Sequence, residues 1–193
     1  MVTLPELWQP ILAAAVLVFV VSSVLHMVLP LHKSDYTKVP GEDELAALMR
    51  ARGVRPGSYM FPFCADMKDL GSDEMKAKYL DGPVGFMRIL PNGQMKIGKF
   101  LGTWFAYTIL ISVVVAYIGG LALAPGAEYL KVFQVTGATA FLAYGLAAIP
   151  ESIWKGQSWG TTAKFVFDGL LYGLVTGGAF GWLWPGVSIV SGG

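Results

Sequence analysis

The sequence predicts an all-α membrane protein, a four-helix transmembrane bundle with a small α+β cytoplasmic insertion between the first and second spans. Hydrophobic residues make up 54% of its 193 positions and charged residues only 14%, whereas soluble domains carry about 25% charge. Four apolar stretches each approach the roughly 20 residues that a helix needs to cross a bilayer. One polar segment, residues 31–99, separates the first stretch from the other three.

The four spans are predicted at residues 10–29, 100–123, 129–149 and 165–184. The first belongs to an N-terminal region, 1–30, and the other three to a region covering 100–193. Each span is followed by a proline, which lacks a backbone N–H and disfavours helical angles in the residue before it. No Lys or Arg precedes the first apolar run and no small-residue cleavage site follows it, so we expect a retained helix and not a signal peptide.

The basic residues predict the orientation of the chain. Most Lys and Arg residues lie in the 31–99 segment or near the connection between the third and fourth spans. Because cytoplasmic loops carry the excess of basic residues, we expect both segments in the cytoplasm and both termini outside. Fourteen basic against 13 acidic residues give a net charge of only +1, which disfavours nucleic-acid binding.

The insertion has the signals of a small α+β unit. One helix is predicted from Glu42 to near Gly53, and another begins at Ser72. Residues 84–90 are predicted to form a strand, with 94–97 as its return strand after an Asn-Gly turn. So short a unit builds only a small core. We therefore expect it either to pack on itself or to contact the membrane or a partner through Tyr59, Phe61, Phe63 and Phe86.

A glycine repeat marks the fourth span. Glycine recurs at every fourth position, at Gly169, Gly173, Gly177 and Gly181. Each glycine costs about 1 kcal/mol relative to alanine inside a helix, and close helix–helix approach is the usual reason for that cost in membranes. The repeat therefore predicts a glycine zipper against the second span, the third span or another protein. A substrate-facing groove is the alternative.

Ionisable residues inside the spans are functional hypotheses by default. His26 lies near the end of the first span and Asp168 near the start of the fourth. Lys164 lies four residues before Asp168 on the same helix, which makes it the simplest partner. We also expect Asp168 to reach His26 across the bundle, or else Tyr107 or Tyr172. This polar intramembrane pair would be either a structural staple or part of a proton or ion relay.

No metal site, catalytic residue or cofactor is predicted. His26, His32 and Asp35 invite a metal hypothesis, but the two histidines are six residues apart with Pro30 between them. No single helix face presents both, and a metal site needs three or four ligands. Bound lipids remain an open expectation for any such bundle.

The run His26-Met27-Val28-Leu29-Pro30-Leu31-His32-Lys33-Ser34-Asp35-Tyr36 resembles a group of bacterial membrane proteins of about 200 residues that are described as uncharacterised or hypothetical. The segments 83–87 and 167–173 share the resemblance. It implies a bacterial inner-membrane location, and it implies no activity, cofactor or catalytic residue.

The sequence favours a non-catalytic function. We expect an integral membrane accessory or scaffold subunit that contacts lipids and packs against a membrane-protein partner or a second copy. Two alternatives stay open: a small transporter or ion- or proton-conducting module that uses Asp168 and His26, and a membrane enzyme that modifies a lipid. A concave pocket with converging polar groups would favour the enzyme.

Overall fold

The computed structural model describes residues 1–186 and is mostly helical. The last residues of the predicted 100–193 region, with the C-terminus, lie outside the described residues. Four helical segments are long and apolar enough to cross a membrane, so the predicted fold class is confirmed and the chain is a multi-pass membrane protein by length and composition. They cover Leu4–Val28, Ile97–Ala122, Tyr129–Lys155 and Trp159–Trp182.

The chain divides into two compact units. The first comprises Met1–Asp35, Lys96–Pro150 and the segment from Ser158 onward. It holds the helices α1 (Trp8–Ser23), α4 (Ile97–Ala122), α5 (Tyr129–Tyr144) and α7 (Trp159–Trp182). The second comprises Tyr36–Met95 and Glu151–Gln157. It holds α2 (Glu42–Ala51), α3 (Asp73–Asp81), β1 (Gly57–Phe61) and β2 (Gly85–Ile89).

Several span boundaries differ from the predicted ones; the first span, for example, begins at Leu4 and not at residue 10. The third span continues past Pro150, through a short 3-10 turn, into α6 (Ile149–Lys155). Proline is tolerated there because it lies in the first turn of that helix, where its missing N–H has no partner to lose. The fourth span begins at Trp159, six residues before the predicted 165, because the Ser158 hydroxyl accepts a hydrogen bond from the Thr161 N–H at 3.1 Å and caps the helix.

The first span ends in two successive turns. After Ser23, residues Val24–Val28 form a wide π-type turn, closed by a hydrogen bond from the Leu29 N–H to the Val24 carbonyl at 3.0 Å. A 3-10 turn, Pro30–His32, follows at once. Such π-type turns concentrate at functional sites because they change the direction in which side chains leave the helix. Here the two turns bring the segment after Pro30 back beside the end of the span.

The four glycines of the repeat in the fourth span face α5. A Cβ atom at Gly173 would lie 2.9 Å from the Gly137 carbonyl oxygen, and one at Gly177 would lie 2.8 Å from that of Phe133. A Cβ at Gly169 would overlap the backbone of Gly145. Gly181 meets the ring of Tyr129 in the same way. The two helices therefore approach more closely than any side chain at these positions would allow.

Apolar side chains fill the remainder of the first unit. Its larger cluster includes Leu7, Val115, Val132 and Phe180, each at most 1% exposed. A smaller cluster comprises Val18, Leu25 and Tyr172. The smaller cluster brings the first and fourth spans together near the turns that end α1.

The second unit has little core of its own. The strand at Gly85–Ile89 pairs antiparallel with Gly57–Phe61, so the predicted hairpin with 94–97 is wrong. Ile97 begins α4 instead, and the apolar run that leads into the span continues as helix. Met75 is the single buried residue among residues 36–95. The scarcity of core expected for so short a unit is therefore present in the structure.

Candidate functional site

Asp168 is a buried charged residue of the bundle. It lies on α7, and its side chain is 2% exposed. Its Oδ2 lies 3.2 Å from Nε2 of His26 and 3.0 Å from Nε2 of His32. The structure thus places His26 beside Asp168, together with a second histidine.

The two histidine rings are stacked. Their centroids lie 4.0 Å apart with an interplanar angle of 19°, and the Phe165 ring lies against that of His32 at 5.4 Å. The π-type turn and the 3-10 turn at the end of the first span produce this stacking, since they fold the chain back within a few residues. The prediction that Pro30 would keep the histidines on different faces considered only a continuous helix.

A second carboxylate holds His32 from its other side. Asp35 Oδ2 lies 2.6 Å from Nδ1 of His32. Asp35 Oδ1 accepts a hydrogen bond from Nζ of Lys164 at 2.6 Å, and the same Nζ donates to Oγ of Ser34 at 2.8 Å. Partial burial acts to raise the pKa of the Asp35 carboxyl, but the hydrogen bonds from Lys164 and His32 outweigh it and hold that pKa below its usual value. Asp35 is therefore an anion that orients the imidazole.

The structure gives Lys164 a different partner from the predicted one. Its Nζ contacts Asp35 and Ser34, whereas the i, i+4 spacing had assigned it to Asp168. The long lysine stem allows this choice because it reaches out to the loop after Pro30, where the Asp35 side chain is only 3% exposed. Asp168 therefore lies beside the two histidines and not beside Lys164.

Several polar atoms of this cluster have no hydrogen-bond partner within the described residues. They are Nε2 of His32 and both carboxylate oxygens of Asp168. The short N···O separations do not have the alignment of N–H···O bonds, so the proximity of these atoms does not satisfy them. Buried polar groups without partners are uncommon in folded proteins, and each calls for a specific explanation.

A cavity of about 510 Å³ adjoins the cluster. His26 and Asp168 lie in its wall together with Ser22 and Ser23. The remaining wall is aromatic and apolar and comes mainly from α4, α5 and α7; it includes Trp104, Tyr107, Tyr144, Phe165 and Tyr172. A concave, mostly apolar space with a few convergent polar groups is the usual form of a ligand site.

The aromatic wall of the cavity is ordered by ring contacts. The rings of Tyr144 and Tyr172 meet edge to face at 5.4 Å, and Trp104 lies 6.2 Å from each of them. The indole Nε1 of Trp104 donates to Oγ of Ser22 at 2.8 Å and ties α4 to α1. The Tyr144 hydroxyl has no partner in the described part of the chain. It is a further polar atom available to a ligand.

The remaining site predictions fall elsewhere in the molecule. Gly169, Gly173 and Gly177 are buried against α5 inside the chain itself, and Gly181, which is half-buried, packs against Tyr129 of the same helix. The proposed partner-contact side chains of the insertion are exposed: Tyr59 by 37%, Phe61 by 36%, Phe63 by 72% and Phe86 by 51%. Nothing in the structure shows what covers those aromatic rings.

Ser34 is a cluster member that the sequence did not single out, and His32 and Asp35 were grouped with His26 only in the metal hypothesis that was set aside. One signal could have found them, because both histidines of the chain fall within seven residues at the end of one span. Another was available on α7, where Asp168, Tyr172 and Thr176 recur at every fourth position and are all buried. That repeat predicts a polar stripe facing the bundle interior.

Comparisons with known proteins add no family. No family model matches the chain, and no curated protein or solved structure matches it. The resemblance to bacterial inner-membrane proteins therefore stays an expectation from the sequence. The findings support a protein of 193 residues with four candidate membrane helices.

Proposed function

We propose that the protein binds a lipid-like amphiphile inside its helix bundle, with the apolar part in the cavity and the polar head at the His–Asp cluster. The observation that carries this proposal is the cavity of about 510 Å³, whose wall is mostly apolar but also contains the polar side chains of Asp168 and His26. The same geometry is what the lipid-enzyme alternative requires at its binding step. It favours that alternative over a purely structural role.

The size of the cavity supports an occupant of this class. An engineered cavity of about 150 Å³ is enough to hold benzene, so 510 Å³ accommodates a molecule several times larger. The cavity is open at its edge, and in a bilayer an amphiphile is the abundant molecule that can enter and fill it.

The glycine face gives little support to the scaffold function. Close backbone contact with α5 occupies Gly173 and Gly177 within the chain. Docking of an external partner on that face would require α5 to leave it. Of the two surfaces suggested for a scaffold, only the exposed aromatic side chains of the insertion remain, and they are not part of the wall of the 510 Å³ cavity.

The test is retention of lipid by variants that fill the cavity. Ala143 lies in the cavity wall, and Ala143→Phe would occupy part of the space without adding a charge. Ala106→Phe is the matched control, since Ala106 is exposed on α4 and outside that wall. Native mass spectrometry of protein extracted in mild detergent counts the bound amphiphiles.

We expect the wild-type chain and Ala106→Phe to retain about one amphiphile per chain, and Ala143→Phe to lose most of it. Equal retention by the two variants would overturn the proposal, because the occupant would then lie outside the cavity. Absence of any retained amphiphile in the folded wild-type chain would overturn it as well.

A further inference from the structure

Three potential ligand atoms meet at the edge of the cavity. One nitrogen each from His26 and His32 and one oxygen from Asp168 lie within 4.8 Å of one another. These histidines are the only two of the chain. They come from opposite sides of Pro30, so that the double turn after α1, and not a shared helix face, unites them with α7.

We propose that His26, His32 and Asp168 form a binding site for a divalent transition-metal ion of the zinc type. The ion site stands on the geometry of these three side chains alone. Its role as the receptor for the polar head of the amphiphile rests on the proposed function.

The two separations that involve Asp168 fit a shared ion. Zinc lies about 2.0–2.2 Å from imidazole nitrogen and carboxylate oxygen, so two such atoms on one ion lie about 2.9–3.5 Å apart at angles from 90° to tetrahedral. The Asp168 oxygen is 3.2 Å from His26 and 3.0 Å from His32. An ion between two ligands lies beside the line that joins them, which agrees with the missing hydrogen-bond alignment.

The unpartnered atoms point to a ligand independently of these distances. The Asp168 side chain is only 2% exposed, and neither of its oxygens has a hydrogen-bond partner in the described residues. Nε2 of His32 is also buried without a hydrogen-bond partner among the described residues. A buried carboxylate without partners is costly, and a coordinated cation removes that cost for Oδ2 of Asp168 and for Nε2 of His32 together.

Asp35 has the geometry of an outer partner for a metal-bound histidine. A carboxylate accepts and does not donate, so Nδ1 of His32 carries the proton in their 2.6 Å contact. In the neutral imidazole the lone pair is then on Nε2, the atom that faces Asp168. Carboxylate–histidine–metal arrangements of this kind fix the tautomer and ring orientation of the ligand. Lys164 and Ser34 hold Asp35 in place.

The donor set favours transition metals. Two imidazole nitrogens and one carboxylate oxygen suit zinc and its neighbours, whereas magnesium and calcium prefer oxygen ligands only. Three protein ligands leave an open coordination position, as in catalytic zinc sites. His26 and Asp168 also lie in the cavity wall, so a ligand in the cavity can reach that position.

Cobalt titration tests the proposal directly. The full chain is purified in detergent through a tag that contains no histidine, stripped with a chelator and titrated with Co²⁺, whose visible absorption reports nitrogen and oxygen coordination. Zinc content after dialysis is measured by elemental analysis. The variants are Asp168→Asn and His26→Gln, and the control is Asp66→Asn, which removes an exposed carboxylate of the insertion.

We expect about one ion per chain in the wild type and in Asp66→Asn, and loss of at least tenfold in affinity in both cluster variants. His26 is 38% exposed, so His26→Gln keeps the test decisive where Asp168→Asn fails to fold. Asp35→Asn retains all three ligands and should weaken binding by about 10–100-fold. A folded wild-type chain that binds no Co²⁺ or Zn²⁺, or a His26→Gln variant that binds as tightly as wild type, would overturn the proposal.

The two proposals fail separately. Ala143→Phe changes the cavity but none of the three ligands, so it should bind Co²⁺ as the wild type does. Retained amphiphile without metal binding would reject the ion site alone. Metal binding without any amphiphile would reject the proposed function and leave the ion site standing.

Discussion

Gly173→Ala tests whether backbone contact between α5 and α7 holds the bundle together. The added Cβ would lie 2.9 Å from the Gly137 carbonyl oxygen and 3.1 Å from Cβ of Phe141. Carbon–oxygen contacts between helices are comfortable at about 3.3–3.6 Å. The two helices must therefore separate by about half an ångström along a closely packed interface.

The expected cost follows from two opposing effects. Overpacking a well-packed interior costs about 1–3 kcal/mol, whereas alanine in place of glycine stabilises a helix by about 1 kcal/mol. Gly102→Ala on α4 isolates the second effect, because a Cβ there meets nothing within 4 Å and the residue is exposed. Gly173→Ala should accordingly be about 1–3 kcal/mol less stable than Gly102→Ala.

Reversible unfolding in mixed micelles, followed by tryptophan fluorescence, measures the free energy of unfolding of both variants. Equal unfolding free energies for Gly173→Ala and Gly102→Ala would refute the reasoning. That result would mean that the helices adjust to the methyl group without cost, and the glycine repeat would need a different explanation.

Two further outcomes are expected. Trp104→Phe removes the indole donor to Ser22 and should lower the free energy of unfolding by about 1 kcal/mol. The control Trp159→Phe, at a residue 63% exposed, should change that free energy little. Equal effects of the two substitutions would show that the hydrogen bond does not stabilise the bundle. The hydrogen bond from Lys78 lowers the pKa of the Glu74 carboxyl below 4.5. The stabilisation from this pair is therefore present above the unfolded-state pKa and is lost as pH falls through the lower folded-state pKa. Carboxyl NMR titration of Lys78→Met should return that pKa towards its ordinary value, and an unchanged pKa would contradict the assignment.

Composition and apolar length predict the fold because they follow from the bilayer itself. A span needs about 20 apolar residues whatever its partners are, so the four helices are visible in the sequence. Span ends depend on local contacts. Pro150 fits into the first turn of α6, and the Ser158 cap extends α7 backward to Trp159. Strand pairing was mispredicted because β1 is distant in sequence from β2, and an Asn-Gly turn draws attention to near neighbours.

The site was less predictable because it depends on chain reversal. Asp168 and His26 stand out as ionisable groups within apolar runs, and the structure places them 3.2 Å apart. The contribution of His32 depends on two successive turns around Pro30 that helical periodicity does not describe. The partner of Lys164 depends on where the same turns carry Asp35. Spacing along one helix identifies neighbours only while the chain remains that helix.

The glycine stripe and the polar stripe of α7 are adjacent. The glycines therefore affect the polar side chains as well as the packing of the helix. Asp168 is followed by Gly169, and Tyr172 by Gly173; all four residues are buried. One face of α7 contacts the α5 backbone, and the polar side chains beside it reach His26 and the aromatic wall of the cavity. Both stripes share one backbone, so the depth to which the glycines seat α7 against α5 also sets the position of the Asp168 carboxylate. A shift of half an ångström in this packing would also move the carboxylate relative to the other two ligand atoms, and an ion site requires positioning of about that accuracy. The close packing of α5 and α7 therefore positions the site as well as stabilising the bundle.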